Sequence, residues 1–192
     1  MPQTTITHQD LPPVGLFNTQ ERYGAVAITF HWFFVLAFAG QLIIYLWMYN
    51  LLIWNRKWWF YDQHKSMGLT FFLAVVCRLA WCLLNPKPVM PPTMTRGQIL
   101  AARLSHGYLF FGMLVMPISG FLGSKAGGSE ANWWGIYESP DLFSENVTLN
   151  FWAETVHTWT FYSIAVVVLL HATAALIHNF KWGDPTLHRM LP

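Results

Sequence analysis

The sequence predicts an all-α integral membrane protein, a bundle of four membrane-spanning helices. Of its 192 residues, 54% are hydrophobic and only 10% are charged, whereas soluble domains carry about 25% charged residues. Aromatic residues make up 17% of the chain and include 11 Trp, a residue type that collects at membrane interfaces. The net charge of +2 is too small to indicate a nucleic-acid partner. These features predict a protein whose main partner is the lipid bilayer.

Four stretches are long and apolar enough to cross a bilayer, which needs about 20 residues. They run from Ala25 to Tyr49, from Ser66 to Leu84, from Leu104 to Leu122 and from Val156 to Ile177. The segments between them are polar or rich in turn-forming residues, and the one after the second stretch contains four prolines, which excludes a continuous helix there. Four spans joined by short connections favour an antiparallel four-helix bundle.

The first 20 residues are polar and rich in proline. They lack the basic and apolar regions of a cleaved signal peptide. We therefore expect residues 1–20 to form a soluble tail that stays on the protein, and residues 21–192 to form one membrane domain. Cys77 and Cys82 do not form the C-x-x-C pattern of zinc clusters or of covalent haem attachment.

Basic residues near the span ends predict the orientation, because they favour the cytoplasmic side. Seven of them fall on the side of the N-terminus: Arg22, Arg78, Lys87, Arg96, Arg103, Lys181 and Arg189. Four fall on the opposite side: Arg56, Lys57, Lys65 and Lys125. We therefore expect both termini to lie in the cytoplasm.

The chain contains eight histidines although it otherwise avoids ionisable residues. An ionisable residue inside a span marks a candidate functional site. His157 and His171 are 14 residues apart, so in a helix they lie within about 40° of one face and about 21 Å apart along the axis. The fourth span therefore offers one imidazole near each membrane surface.

Buried imidazoles need partners for their ring nitrogens, and haem iron supplies one. On the side opposite the termini, the sequence predicts a pair of His64 with His157. On the side of the termini, His171 has two candidate partners, His31 and His106, and depth favours His31. A single membrane histidine more often serves helix packing than ligation, but four at matched depths favour two haems.

Arg78 follows His64 by 14 residues, so it faces the same way at the depth of His171. The membrane part of the sequence supplies no carboxylate to match this cation, and we expect haem propionates as its partner. Some glycines in the spans would let a flat macrocycle approach the backbone, although small residues there more often serve helix packing. They are Gly40, Gly68, Gly112 and Gly120.

Five segments of the sequence resemble the bacterial cytochrome b561 family. They are ITFHW at 28–32, DQHKSMG at 62–68, VVCRLAW at 75–81, AARLSHGYLFFGMLVMPISG at 101–120 and LLHATAALIHNFKWGDPTLHRMLP at 169–192. The last segment is the most specific, and the resemblance covers about residues 21–192. It implies a four-span cytochrome of the bacterial inner membrane with two haems b, in a family that includes a superoxide oxidase that reduces ubiquinone.

The resemblance assigns ligand roles to individual residues. It implies that His31 and His171 bind the iron of the haem on the cytoplasmic side. It likewise implies that His64 and His157 bind the iron of the haem on the periplasmic side. Both pairs agree with the pairs that helical spacing favours.

The resemblance also indicates where ubiquinone binds. His178, about two turns past His171 on the same face, matches a family histidine next to the quinone. Trp182 would flank the quinone ring, and His106 is a further candidate beside the quinone or a haem. The alternative for His178 is a structural role, as a polar residue where the helix ends at the membrane interface.

Bis-histidine ligation leaves no open iron position, which suits electron transfer and disfavours oxygen binding. The first hypothesis is an enzyme that oxidises superoxide at the periplasmic face and reduces ubiquinone near the cytoplasmic face. Lys65, Arg56 and Lys57 would attract the anion. The alternative is a quinol-linked or partner-linked carrier that serves a periplasmic redox protein, with the loop at 124–152 as its docking surface. A third hypothesis is a haem-free four-helix membrane protein.

Overall fold

Four long helices form the membrane part of the chain. The computed structural model describes residues 11–50, 54–140 and 143–192, without the side chains of residues 50 and 54–56. The helices are α1 (Ala25–Asn50), α2 (Trp54–Leu84), α3 (Arg96–Ala126) and α4 (Val147–Phe180). Each is long and apolar enough to cross a membrane. The predicted all-α fold with four spans is therefore confirmed, whereas the cytoplasmic position of both termini stays a prediction.

The helices extend beyond the apolar stretches from which they were predicted. The polar segment expected to separate the first two spans is largely helical, because α2 begins at Trp54 rather than at Ser66. At the start of α3, the Thr95 amide donates to Gln98 Oε1 over 2.7 Å and the Gln98 amide donates to Thr95 Oγ1 over 3.3 Å. This reciprocal cap satisfies amides that the first turn leaves free.

The connection between α3 and α4 has structure of its own. It contains a two-stranded antiparallel hairpin of β1 (Asn132–Trp133) and β2 (Tyr137–Glu138), and Gly135 turns between the strands at φ 71°. Asn146 Oδ1 then accepts a hydrogen bond from the Leu149 amide over 2.9 Å and caps α4. The segment 124–152, expected to be a loop, therefore holds the end of α3, the hairpin and the first turn of α4.

The chain divides into two compact units, and each of the four helices contributes to both. The first unit comprises the chain up to Trp32 together with 77–110 and 164–192. It thus combines the start of α1, the end of α2, the start of α3 and the end of α4, so consecutive helices run in alternating directions within it. The second unit, 33–76 and 111–163, combines the complementary parts.

Hydrogen bonds from the segment before α1 hold the first unit together. Asn18 Nδ2 donates to the Pro86 carbonyl over 2.9 Å, and the Val89 amide donates to the Gln20 carbonyl over 2.8 Å. Arg22 Nη2 donates to the Leu191 carbonyl over 2.8 Å. The described part of the predicted tail, residues 11–20, is therefore bonded to the connection between α2 and α3.

Aromatic contacts and the hairpin organise the second unit. Phe34 of α1 packs edge-on against Phe71 of α2, with ring centroids 4.9 Å apart. The indole nitrogens of Trp133 and Trp134 both donate to Thr70 Oγ1, over 3.0 and 2.8 Å. The hairpin is thereby fixed to the middle of α2, less than two turns after His64.

Candidate functional site

Three histidines meet in the first unit. The ring centroids of His31 in α1 and His171 in α4 lie 6.3 Å apart, with their planes inclined by 55°. The ring of His106 in α3 is 5.3 Å from that of His171, at 64°. The structure therefore brings both candidate partners predicted for His171 to its side.

Two histidines meet in the second unit. The ring centroids of His64 in α2 and His157 in α4 lie 6.1 Å apart at an interplanar angle of 81°. His157 Nδ1 lies 2.8 Å from the Met116 carbonyl oxygen. A carbonyl only accepts hydrogen bonds, so Nδ1 carries the proton and donates it, and Nε2 keeps the lone pair. His64 Nδ1 is buried and has no hydrogen-bond partner among the described residues.

These pairs fit a metal ion held between two imidazoles. Two opposed ligand nitrogens, each about 2 Å from a metal, hold their ring centroids about 6 Å apart. The distances of 6.3 Å for His31 with His171 and 6.1 Å for His64 with His157 agree with that value. The 5.3 Å between His106 and His171 is shorter. The geometry therefore fits the His31–His171 pair better than the His106–His171 pair.

Gly120 of α3 faces the second histidine pair. A Cβ atom at this position would lie 2.8 Å from His157 Cε1, closer than real contacts allow. Gly120 therefore makes room for the imidazole ring, which is a narrower role than the macrocycle contact considered from the sequence. Gly40 has no atom within 4 Å of such a Cβ, and at Gly68 the nearest is Gln41 Nε2 at 3.8 Å.

A group of basic side chains belongs to the first unit. The Arg78 guanidinium lies 5.3 Å from the centroid of the Phe110 ring. Burial raises the pKa of the Tyr23 hydroxyl, and the positive charges of Arg78 and Arg189 oppose that rise. Arg189 is buried, and its Nη1 donates to the Val89 carbonyl over 2.6 Å. The guanidinium groups of Arg78 and Arg189 both lie near the Tyr23 hydroxyl, and such a pair of cations can bind an anionic group such as a haem propionate.

Sequence reasoning overlooked Arg189 as a candidate for binding the cofactor. Its Nε atom is buried without a hydrogen-bond partner among the described residues. Burial lowers the pKa of its guanidinium, and the charges of Tyr23 and Asp184 oppose that shift. The only available signal was a basic residue within the quoted C-terminal motif at 169–192, which does not reveal burial.

His178 and Trp182 lie together at the end of α4. Their ring centroids are 4.5 Å apart at an interplanar angle of 79°. His178 is buried and its Nδ1 is hydrogen-bonded to Asp184 Oδ2, whereas Trp182 is half exposed. Sequence reasoning missed Asp184, because no helical period connects it to His178.

The three basic residues predicted to attract superoxide have different surroundings. Lys65 Nζ donates to Ser129 Oγ over 2.5 Å and to the Glu130 carbonyl over 2.8 Å, so it is engaged with the hairpin connection. Lys57 Nζ lies 5.9 Å from the centroid of the Tyr61 ring. Arg56 belongs to α2, but its side chain lies outside the described residues.

A cavity of about 410 Å³ lies between the first half of α2 and the hairpin. Its lining residues are Asp62, Gln63, Ser66, Glu130, Asn132, Trp134 and Gly135. Two of them carry carboxylates and none is basic, so the cavity itself is acidic. Any attraction of an anion to this face must come from outside the lining.

Comparisons with known proteins agree with the architecture. A family model described as prokaryotic cytochrome b561 matches residues 22–192. The chain is 32% identical over 177 residues to cytochrome b561 homolog 2 of Escherichia coli strain K12, which covers 91% of this chain and 93% of that protein. It is 24% identical over 176 residues to the probable superoxide oxidase CybB of Yersinia pestis, covering 90% and 97%. Cytochrome b561 homolog 1 of Escherichia coli strain K12 is 26% identical over 132 residues, covering 68% and 74%.

The family model spans all four helices and every described histidine of the two pairs. Apolar helices that can cross a bilayer and imidazole pairs spaced for a metal are what a membrane-bound cytochrome b requires. The resemblance predicted from the sequence motifs is therefore confirmed. The chain belongs to the prokaryotic cytochrome b561 family, and it is accordingly a bacterial membrane protein that binds b-type haem and transfers electrons.

Proposed function

We propose that this chain transfers electrons through two b-type haems, oxidising superoxide at the periplasmic face and reducing ubiquinone near the cytoplasmic face of the inner membrane. The observation that carries the proposal is one imidazole pair in each unit, with ring centroids 6.3 and 6.1 Å apart. Each haem, when bound, supplies a reversible one-electron couple. The residues of the chain then determine where the cofactors sit and which substrates approach.

The proposed ligands are His31 with His171 and His64 with His157. A histidine from each of two helices would leave no open position on a bound haem iron, which would suit electron transfer and disfavour oxygen binding. The Met116 carbonyl orients His157 by accepting its Nδ1 proton, so that Nε2 is the ligand nitrogen. In the first unit, the guanidinium groups of Arg78 and Arg189 are the proposed partners of propionates.

The proposed quinone site is formed by His178 and Trp182. The indole is half exposed and packs edge-on against the buried imidazole. A flat apolar ring would lie against the indole, while the imidazole would hydrogen-bond to a carbonyl oxygen. His106 is assigned a place beside the first histidine pair rather than a ligand role, because its 5.3 Å spacing from His171 is short for ligation.

Superoxide oxidation is supported by the name of one distant relative and by the position of Lys65 directly after His64. A cation at this point favours the approach of an anion. Lys57 lies two turns earlier on α2 and Arg56 precedes it. These residues are the proposed steering charges.

A specific observation favours the alternative function, a carrier that serves a periplasmic redox protein. The cavity beside the hairpin is lined by Asp62 and Glu130, and the ammonium of Lys65 is already engaged by Ser129 Oγ and the Glu130 carbonyl. Carboxylates repel superoxide and attract a basic protein surface. The two functions therefore predict opposite effects of charge at this face. Removing a cation should slow electron uptake from superoxide, whereas removing a carboxylate should slow electron exchange with a basic redox protein.

The deciding experiment is superoxide-driven haem reduction by the purified protein, measured with the four variants Lys65→Gln, Lys57→Gln, Asp62→Asn and Lys87→Gln. Lys87→Gln is the matched control, since it removes the same charge from an exposed residue in the connection between α2 and α3. The proposal expects fast reduction that added ubiquinone reverses, slowed several-fold by Lys65→Gln and by high salt. The Lys87 variant should behave as the unmodified protein.

Two results would count against the enzyme. If superoxide leaves an intact bis-histidine spectrum oxidised, the chain is a carrier. If Asp62→Asn slows reduction by a basic redox protein while Lys65→Gln does not slow superoxide, the carrier is again favoured. Absence of any haem absorption in the purified protein would exclude both functions.

A further inference from the structure

The chain turns back on itself after α4 and returns a carboxylate to His178. Gly183 adopts φ 64°, in the left-handed region that glycine tolerates, and this turn brings Asp184 beneath the helix end. The Asp184 amide donates to the His178 carbonyl over 3.1 Å. The Asp184 carboxylate accepts a hydrogen bond from His178 Nδ1 and, through Oδ1, a second from the Thr186 amide over 3.0 Å.

Both members of this histidine–aspartate pair are removed from water. The exposed fraction is 7% for His178 and 4% for Asp184. A buried carboxylate is retained only where it is paired or hydrogen-bonded, and here the imidazole and the Thr186 amide satisfy one oxygen each. Trp182 packs against the imidazole from another side, so the ring is held by a hydrogen bond and by an aromatic contact.

The chemistry of the pair fixes the proton on one ring nitrogen. An ionised carboxylate only accepts hydrogen bonds, so Nδ1 must donate. The other ring nitrogen, Nε2, is then the atom that gives or takes a proton. A carboxylate in this position also stabilises the imidazolium that forms when Nε2 is protonated, as in other histidine–aspartate pairs.

We infer that Asp184 is a positioning residue that holds His178 as the proton donor to ubiquinone, an inference that rests on the quinone site proposed above. Reduction of a quinone to a quinol takes up two electrons and two protons. The two electrons come one at a time from two superoxide anions, which leave as two O2, or from two equivalents of a reduced one-electron redox protein. His178 Nε2 delivers one proton to a quinone oxygen, solvent at this end of α4 returns a proton to the ring, and the ring then delivers the second proton.

Other charged groups surround the pair. The charge of Asp184 opposes the lowering of the Arg189 pKa by burial, which indicates that this guanidinium from the short 3-10 helix His188–Met190 is close to the carboxylate. Lys181 is exposed on the turn between His178 and Asp184. A positive charge from Arg189 therefore lies near the carboxylate that holds His178.

The test isolates the quinone reaction from the superoxide reaction. Chemically reduced protein is mixed anaerobically with short-chain ubiquinone, and haem reoxidation is followed in a stopped-flow instrument. The set consists of Asp184→Asn, Asp184→Glu and His178→Gln, with Glu21→Gln as the matched control. The control makes the same carboxylate-to-amide change at an exposed residue of the same unit.

The inference expects Asp184→Asn to lower the limiting rate at saturating quinone by about tenfold or more, a part of the roughly 10²–10⁴-fold that general acid catalysis contributes, because His178 itself is retained. The quinone concentration that gives half the limiting rate should change much less, because Trp182 and the His178 imidazole still contact the quinone. Asp184→Glu should recover part of the rate, and the double change with His178→Gln should be no slower than His178→Gln alone. Glu21→Gln should match the unmodified protein.

The outcomes separate the two proposals. If His178→Gln slows reoxidation but Asp184→Asn does not, the quinone site stands and the role of Asp184 is wrong. If neither change affects the rate at equal haem content, the quinone site itself is wrong. If Asp184→Asn loses haem, the Asp184→Glu variant decides the question. A reduced limiting rate with little change in half-saturation supports the positioning role of Asp184. A normal limiting rate together with a normal half-saturation contradicts it.

Discussion

The Nδ1 atom of His157 lies 2.8 Å from the carbonyl oxygen of Met116, one helix away. The backbone of α3 therefore sets the direction of an α4 side chain, and Ser119 Oγ of the same helix lies 3.4 Å from the same nitrogen. Gly120, one turn further along α3, leaves the space that the ring occupies. The Met116 carbonyl and the Ser119 hydroxyl thus place the imidazole on one side, and the space at Gly120 admits it on the other.

Gly120→Ala should disturb the second histidine pair specifically. The added methyl would lie 2.8 Å from His157 Cε1, and overpacking of this kind costs about 1–3 kcal/mol. We expect one of two haem signals to shift or disappear in optical and low-temperature EPR spectra. Gly107→Ala on the same helix is the control, because its Cβ would meet no atom within 4 Å. Equal spectra for the two variants would contradict the packing argument.

His31 and His106 can be distinguished as partners of His171 by comparing their alanine variants. We expect His31→Ala to abolish the low-spin signal of one haem and to lower the haem content per chain. His106→Ala should retain two low-spin signals, since the 6.3 Å spacing of His31 from His171 suits ligation and the 5.3 Å spacing of His106 does not. The opposite pattern would make His106 the ligand.

Thr70 Oγ1 accepts hydrogen bonds from the indole groups of both Trp133 and Trp134. Thr70→Val keeps the shape of the side chain but leaves both donors without this acceptor, at a cost of about 1–3 kcal/mol for the half-buried Trp133 indole and less for the exposed Trp134 indole, which water can reach. The midpoint of thermal unfolding in detergent should fall by several degrees, at roughly 2–4 °C per kcal/mol. Thr29→Val, at an exposed position of α1, is the control and should leave the midpoint unchanged.

Arg22 connects two distant parts of the sequence within the first unit. Its Nη1 donates to the Pro12 carbonyl over 2.9 Å and its Nη2 to the Leu191 carbonyl over 2.8 Å. Arg22→Met removes these charge-assisted bonds, and amide hydrogen exchange in residues 14–20 should accelerate about tenfold or more. Arg103→Met, at an exposed position of α3, should leave the exchange rates unaltered.

Helical periodicity made the histidine pairs predictable. The spacing of 14 residues between His157 and His171 returns to one helix face, so both rings face neighbouring helices at two depths. In the structure, His64 lies beside His157 and His31 lies beside His171. Their proximity follows from the sequence pattern, while their ligation of iron stays a proposal.

Contacts that depend on turns were not predictable in this way. Asp184 reaches His178 only because Gly183 reverses the chain, and Lys65 reaches Ser129 only because the hairpin folds back on α2. Hydropathy also placed the start of α2 too late, because it marks only the apolar section of a helix. The first and last residues of a helix are determined instead by capping groups and by neighbouring contacts.

The last helix contributes a member to each histidine pair, His157 to one and His171 to the other. During synthesis, the three earlier helices emerge first and carry His31 and His64 without these partners. With the ligands proposed above, neither pair is complete until α4 has entered the bilayer, so that tight haem binding would follow insertion of the last helix. A chain truncated before α4 should therefore reach the membrane colourless, and cofactor content becomes a direct report of completed insertion.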